Sequence, residues 1–159
     1  MEQLFIEKGP KAEKYAALLP QIEAVIDESV DAVANMANVA AMIHQTFGFW
    51  WTGFYRVVGD NLVLGPFQGP LACTTIRLGR GVCGTAWEQG RIVVVPDVEK
   101  FPGHIACSSA SRSEIVVPVF HQGTVVAVLD VDSEHLETFD ETDSEWLEKI
   151  AALLGKVFF

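Results

Sequence analysis

The chain reads as an α+β protein with helices at both ends packed on one face of an antiparallel sheet. Three observations carry that reading. Apolar residues recur at helical spacing near the start and again near the end. The stretch between them consists of short β-branched and aromatic runs. Brief turns rich in Gly, Asn and Asp punctuate those runs, as expected of strands that pair with their neighbours.

Ile22, Val25, Ile26, Val30, Val33, Met36, Val39, Ala40 and Ile43 predict one or two amphipathic helices between about Lys11 and Phe47, and Pro20 stands where a helix can start. Gly48 ends that region. Phe49 to Val58 is aromatic and β-branched and reads as a strand. Gly59-Asp60-Asn61 is a turn, Leu62 to Gly65 a second strand, Gly65 to Pro70 a loop, and Ala72 to Leu78 a short strand. Gly79-Arg80-Gly81 opens a short helix, Val82 to Gln89, which Gly90 closes. Arg91 to Val95 is a buried strand stopped by Pro96-Asp97. Glu99 to Arg112 has no period, and a long irregular segment is often a lid or binding loop. Ser113 to Phe120 and Thr124 to Val131 form a hairpin around His121-Gln122-Gly123. After Phe139, Asp140 or Thr142 caps a final helix whose apolar face is Trp146, Ile150, Leu153, Leu154 and Val157.

A length of 159 residues fits one domain, 1–159. The net charge is −10, from 21 acidic and 11 basic residues. That balance argues against nucleic acid and against an anionic membrane surface, since both are bound through clustered Lys and Arg. No stretch approaches the roughly 20 apolar residues of a membrane-spanning helix. Met1 to Glu7 lacks the basic start and apolar run of a signal peptide, so a cytoplasmic location is expected.

The cysteines are Cys73, Cys83 and Cys107, an odd count that suits a reducing compartment better than a disulfide framework. Cys83 follows Gly79-Arg80-Gly81 at a helix start, where the helix dipole favours thiolate; packing as a small hydrophobe is an equal alternative. Cys107 lies in the irregular segment among small polar residues and near His104, a setting for a reactive thiol. Cys73, at a strand start, reads more as core filler. Nine and then 23 residues separate the cysteines, which matches no tight zinc pair, so no metal is expected; Cys73, Cys83, Cys107 and His104 could meet only through tertiary folding.

Asp130 and Asp132 alternate with Leu129 and Val131 and therefore share one strand face, and Glu114 starts the preceding strand. Clustered carboxylates repel, which keeps a proton on one of them; such a group can act as a general acid or bind an ammonium. Trp51, Gly53 and Tyr55 share a face on which the glycine leaves room for a ligand, with Trp50 and Phe54 on the core side.

These residues resemble the free methionine-R-sulfoxide reductases, small members of the GAF fold. The matching stretches are Trp51-Thr52-Gly53-Phe54-Tyr55, Leu62 to Gly69, Gly79 to Ala86, Gly103-His104-Ile105-Ala106-Cys107, Ser113 to Val116, and Leu129 to Ser133, from about Tyr15 to the C-terminus. The resemblance implies a GAF fold: a central antiparallel sheet of about six strands with loops, Glu99–Arg112 among them, capping a ligand pocket. It implies Cys107 as nucleophile, Cys83 and Cys73 as resolving or recycling thiols in either order, Trp51 and Tyr55 as pocket aromatics, and Glu114, Asp130 and Asp132 as the carboxylate cluster.

On that resemblance the Cys107 thiolate attacks the sulfoxide sulfur, one carboxylic acid protonates the departing oxygen, and the resulting sulfenic acid condenses with a second thiol. A thioredoxin-type dithiol is the expected reductant, no cofactor is required, and a homodimer through the N-terminal helices is compatible with the family. Ionised carboxylates pairing with the substrate ammonium would favour the free amino acid over a peptide-bound residue. The alternative is a GAF module that senses a small ligand or redox state without turnover.

Overall fold

The computed structural model describes residues 3–104 and 110–158. Its elements are α1 (Lys11–Val25), α2 (Ala32–Phe47), β1 (Trp51–Val58), β2 (Asn61–Gln68), β3 (Thr75–Arg77), α3 (Gly81–Gln89), β4 (Val93–Val95), a 3-10 turn (Val98–Lys100), β5 (Ser113–His121), β6 (Thr124–Ser133) and α4 (Glu141–Lys156). The strands form one six-stranded sheet in the order β3-β2-β1-β6-β5-β4, with antiparallel pairing throughout.

Alternation along the strands separates two buried faces. Phe54, Ile115, Val117, Val119, Ala127, Leu129 and Val131 pack against α1, α2 and α4. Trp51, Tyr55, Leu62, Val116 and Val128 face the other way, toward Val82, Cys83 and Ala86 of α3. The terminal helices therefore cover one face, as expected, and α3 and the connecting segments cover the other. Leu147 and Ile150 of α4, 0% and 1% exposed, anchor the helix layer. Trimming either to Ala is expected to cost about 2–5 kcal/mol through lost burial and a cavity.

Several boundaries differ from the sequence reading. Pro20 lies inside α1 rather than at a helix start. Tyr15, Leu18 and Ile22 are buried on both sides of it, and that packing outweighs the hydrogen bond Pro20 removes. The first strand begins at Trp51; Trp50 precedes it and packs against the α3-side cluster, so only Phe54 joins the helix-side core. β2 continues through Pro66 to Gln68 because its register against β1 shifts between Gly53 and Tyr55, and a bulge spares the ladder Pro66's missing N–H. β3 and β4 are shorter than expected, with three residues each. Of the two candidate caps for α4, Asp140 accepts from the Thr142 N–H and forms a reciprocal box with Asp143. Val98–Lys100 occupies the start of the segment expected to be irregular; Cys107 falls in 105–109, outside the described residues.

Candidate active site

Glu114 on β5 lies directly opposite Asp132 on β6, and Asp130 is two residues back on the same face. β1 completes the row, with Trp51 opposite Asp132 and Gly53 opposite Asp130. Pairing register thus brings three carboxyl groups from adjacent strands onto the α3 side of the sheet. Like charges placed opposite one another are destabilising, so this arrangement opposes folding unless protons or a ligand offset it. Glu114 and Asp130 are each 6% exposed, while Asp132 is partly exposed.

Loss of water raises the proton affinity of all three acids. Glu114 is pushed well up, first by burial and then by the negative charges of Asp130 and Asp132, with which it shares hydrogen bonds. Two carboxyl groups can share a hydrogen bond only if one holds a proton, and the direction of its shift makes Glu114 the favoured holder. Asp130 rises less, because hydrogen bonds from Glu114 and Cys83 and the nearby His104 favour its charged form. Ser111 Oγ donates to Asp132 Oδ1 at 3.2 Å. Asp130 Oδ1 is buried and has no hydrogen-bond partner among the described residues. His104 Nε2 stands 3.9 Å from Glu114 Oε1, and burial lowers its pKa. Among the described residues no Lys or Arg forms an ion pair with these acids.

Cys83 is the third residue of α3 and is buried. The helix approaches β3 closely because Gly84 lacks a side chain: a Cβ there would stand 2.5 Å from the Arg77 carbonyl. Burial, followed by the charges of Asp130 and Glu114, pushes the Cys83 thiol well above its usual value. The sequence argument that a helix N-terminus favours thiolate therefore fails here. The dipole is outweighed by desolvation and by the adjacent acids, and the thiol donates to Asp130 instead.

Trp51 and Tyr55 flank the acids on β1, their ring centroids 6.0 Å apart. The glycine between them does not open ligand space, contrary to expectation. A Cβ on Gly53 would strike Phe67 and the Trp51 ring, and Phe67 stacks on Trp51 at 5.2 Å. Gly53 thus lets two rings close over the strand. Both pocket aromatics also use their polar tips: Trp51 Nε1 donates to the Pro70 carbonyl at 3.1 Å, and the Tyr55 hydroxyl donates to the Cys73 carbonyl at 2.9 Å. They hold the segment that carries Cys73. Cys73 is half-buried against the α3-side cluster, as a core residue would be, but it is also disulfide-bonded, whereas Cys83 is a free thiol.

One cavity is lined by Trp51, Tyr55, Cys83, Glu114, Asp130 and Asp132, with Arg80, His104 and Ser111 on its wall. Every candidate side chain outside 105–109 except that of Cys73 lines this hollow, and Cys73 lies beside it through Ala72. Sequence reasoning did not assign Arg80, Ser111 or Phe67. Ser111 and Arg80 stand in segments without period, where no pattern tells which way a side chain points, and Phe67 was placed in a loop.

A family model described as GAF domain matches residues 21–158. "GAF domain-containing protein A" of Dictyostelium discoideum is 58% identical, the match covering 96% of this chain and 98% of the relative. The free methionine-R-sulfoxide reductase of Escherichia coli is 41% identical over 92% of this chain and 90% of its own. The X-ray structure of free methionine-R-sulfoxide reductase from Neisseria meningitidis, in complex with its substrate, superposes with a TM-score of 0.96 at 55% identity, covering 99% of this chain and 96% of that one. The chain belongs to the free methionine-R-sulfoxide reductase family of GAF-domain proteins.

Proposed function

We propose that this chain reduces free methionine-R-sulfoxide to methionine, with Cys107 as nucleophile, Glu114 as proton donor and Cys73 as resolving thiol. The observation that carries the reading is the row of acids that, among the described residues, forms no ion pair with Lys or Arg, facing two aromatic rings and set beside a disulfide-bonded cysteine. An acid cluster with no ion-paired Lys or Arg among the described residues suits a ligand that brings a positive charge, and the α-ammonium of a free amino acid does so.

The Cys107 thiolate attacks the sulfoxide sulfur, and the sulfoxide oxygen takes the proton that Glu114 holds. The protonated oxygen then transfers to Cys107: a Cys107–oxygen bond forms as the substrate S–O bond and the sulfur–sulfur bond break, methionine leaves with that electron pair, and Cys107 becomes a sulfenic acid. The Cys73 thiol displaces that oxygen as water and forms a disulfide. The disulfide at Cys73 together with the free, buried Cys83 supports this order over one in which Cys83 resolves. A thioredoxin-type dithiol then reduces the disulfide by exchange and is itself oxidised. Asp130, the acid most favoured in its charged form, pairs with the substrate ammonium. Trp51 and Tyr55 face the methyl group, and Tyr55 also positions Cys73 through the carbonyl contact.

The test is to assay wild type and Cys107→Ser with each methionine sulfoxide epimer and a thioredoxin system. Stereospecific turnover of the R epimer, abolished in the variant, is expected. Full activity in Cys107→Ser overturns the assignment of the nucleophile, and wild type without turnover overturns the function.

A further inference from the structure

Cys83 has no part in a relay that runs from Cys107 to Cys73, yet it is held against two of the acids. One ligand atom each from Cys83, Glu114 and Asp130 lies within 4.8 Å of the others, and all three residues are buried. A second observation concerns Asp130 alone: this residue lines the cavity, and its buried Oδ1 has no hydrogen-bond partner among the described residues. A buried polar atom left unpaired opposes folding, and a bound cation would satisfy it.

The donor set is one sulfur and two carboxylates. A thiolate selects borderline or soft metals, and carboxylates accompany it at zinc sites. Around a tetrahedral zinc, bonds of about 2.0–2.3 Å place ligand atoms roughly 3.3–3.8 Å apart. The three ligand atoms, within 4.8 Å of one another, would have to draw closer together to reach that range. Three protein ligands leave the fourth position facing the cavity, the open geometry of a zinc that still binds water or a small ligand.

We infer that the reduced protein binds a divalent cation of the zinc or cadmium class on Cys83 Sγ, Glu114 and Asp130, and that this metal and the amino-acid substrate exclude one another. The metal half stands on the three side chains; the exclusion half rests on the proposed function. Binding releases the thiol proton and puts the metal where the substrate ammonium would sit. Turnover would then respond to free zinc through a residue outside the thiol relay.

Titration of the reduced, metal-free full chain with cadmium, followed by the sulfur-to-cadmium absorption band, tests the site; equilibrium dialysis repeats it with zinc. One metal per chain is expected. Cys107→Ser and Cys73→Ser should keep the band, Cys83→Ser should lose it, and Asp130→Asn should weaken binding by about 100-fold or more. Circular dichroism matching wild type shows that the last two variants fold. In Cys107→Ser, which does not turn over, free methionine-R-sulfoxide should raise the apparent cadmium dissociation constant in proportion to its concentration. Absent stoichiometric binding in wild type, or unchanged binding in Cys83→Ser, overturns the site while leaving any observed turnover standing. Metal binding in a protein without turnover leaves the site and removes the proposed function, and binding indifferent to the sulfoxide removes the exclusion.

Discussion

Asp143 and Glu114 are both buried carboxylic acids, and the protein surrounds them in opposite ways. Asp143 is fully buried on the helix side, yet Lys11 Nζ and the Tyr15 hydroxyl each donate to it at 2.6 Å, and the Asp140 N–H donates at 3.0 Å. Glu114 meets two further acids and a neutral-leaning His104 at 3.9 Å. Satisfied partners make the first acid an element of stability: it ties α1 to α4 and completes a helix cap. Among the described residues the second has no Lys or Arg partner, and on the proposed function that gives it a use: it holds a proton beside Asp130, which takes the ligand's ammonium. Burial does not distinguish the two acids; their neighbours do.

That contrast breaks if the two acids respond alike to substitution. The largest expected effect is on turnover. Glu114→Gln or Asp130→Asn should lower kcat/KM for the R sulfoxide by about 10²–10⁴-fold while the protein remains folded. Activity per folded molecule in Asp143→Ala should stay near wild type. Retained activity in both cavity variants would erase the distinction.

Next in size is stability. Asp143→Ala leaves the buried Tyr15 hydroxyl unpaired and removes part of a cap, a loss of about 2–4 kcal/mol. Thermal unfolding should report roughly 5–15 °C for a chain of this size. Glu114→Gln should move the opposite way, with a sign set by linkage. Its carboxyl holds its proton more tightly folded than unfolded, so its contribution to stability is full below the ordinary carboxylate range and is lost as pH rises. The melting temperature of Glu114→Gln relative to wild type should therefore climb as pH rises from that range, and a flat difference would contradict the raised proton affinity. On the same grounds kcat should fall as pH rises through the folded-state value of Glu114, a limb that Glu114→Gln abolishes.

The smallest effect sharpens the account of the wall around the acids. Tyr55→Phe removes a hydrogen bond to the Cys73 carbonyl worth about 1 kcal/mol, or roughly fivefold. Rapid-quench trapping of the disulfide should show that slowing after sulfenic acid formation, with KM little changed. A large change in KM alone would make Tyr55 purely a substrate contact.

The parts of this molecule that follow a period were legible in the sequence. The β6 alternation placed Asp130 and Asp132 together, and helical spacing found the layer formed by the terminal helices. The opposition of Glu114 and Asp132 depended on pairing register, which only a folded hairpin sets. Cys83 misled because a local rule about helix ends says nothing of the acids that arrive from other strands. Gly53 misled similarly: its missing side chain makes room for Phe67, a residue whose strand was extended by a bulge at Pro66. Pro20 reads as a start signal, and tertiary packing alone carries α1 through it.

The raised proton affinity of Glu114 leads us to expect a proton on the acid row at neutral pH. Infrared difference spectroscopy of wild type against Glu114→Gln reads it directly, since a protonated carboxyl C=O stretch is distinct from the carboxylate bands. A buried carboxylic-acid band in wild type at neutral pH, absent from Glu114→Gln, is the predicted result. Carboxylate bands alone in wild type at that pH would mean the acids hold no proton to give and would contradict Glu114 as proton donor.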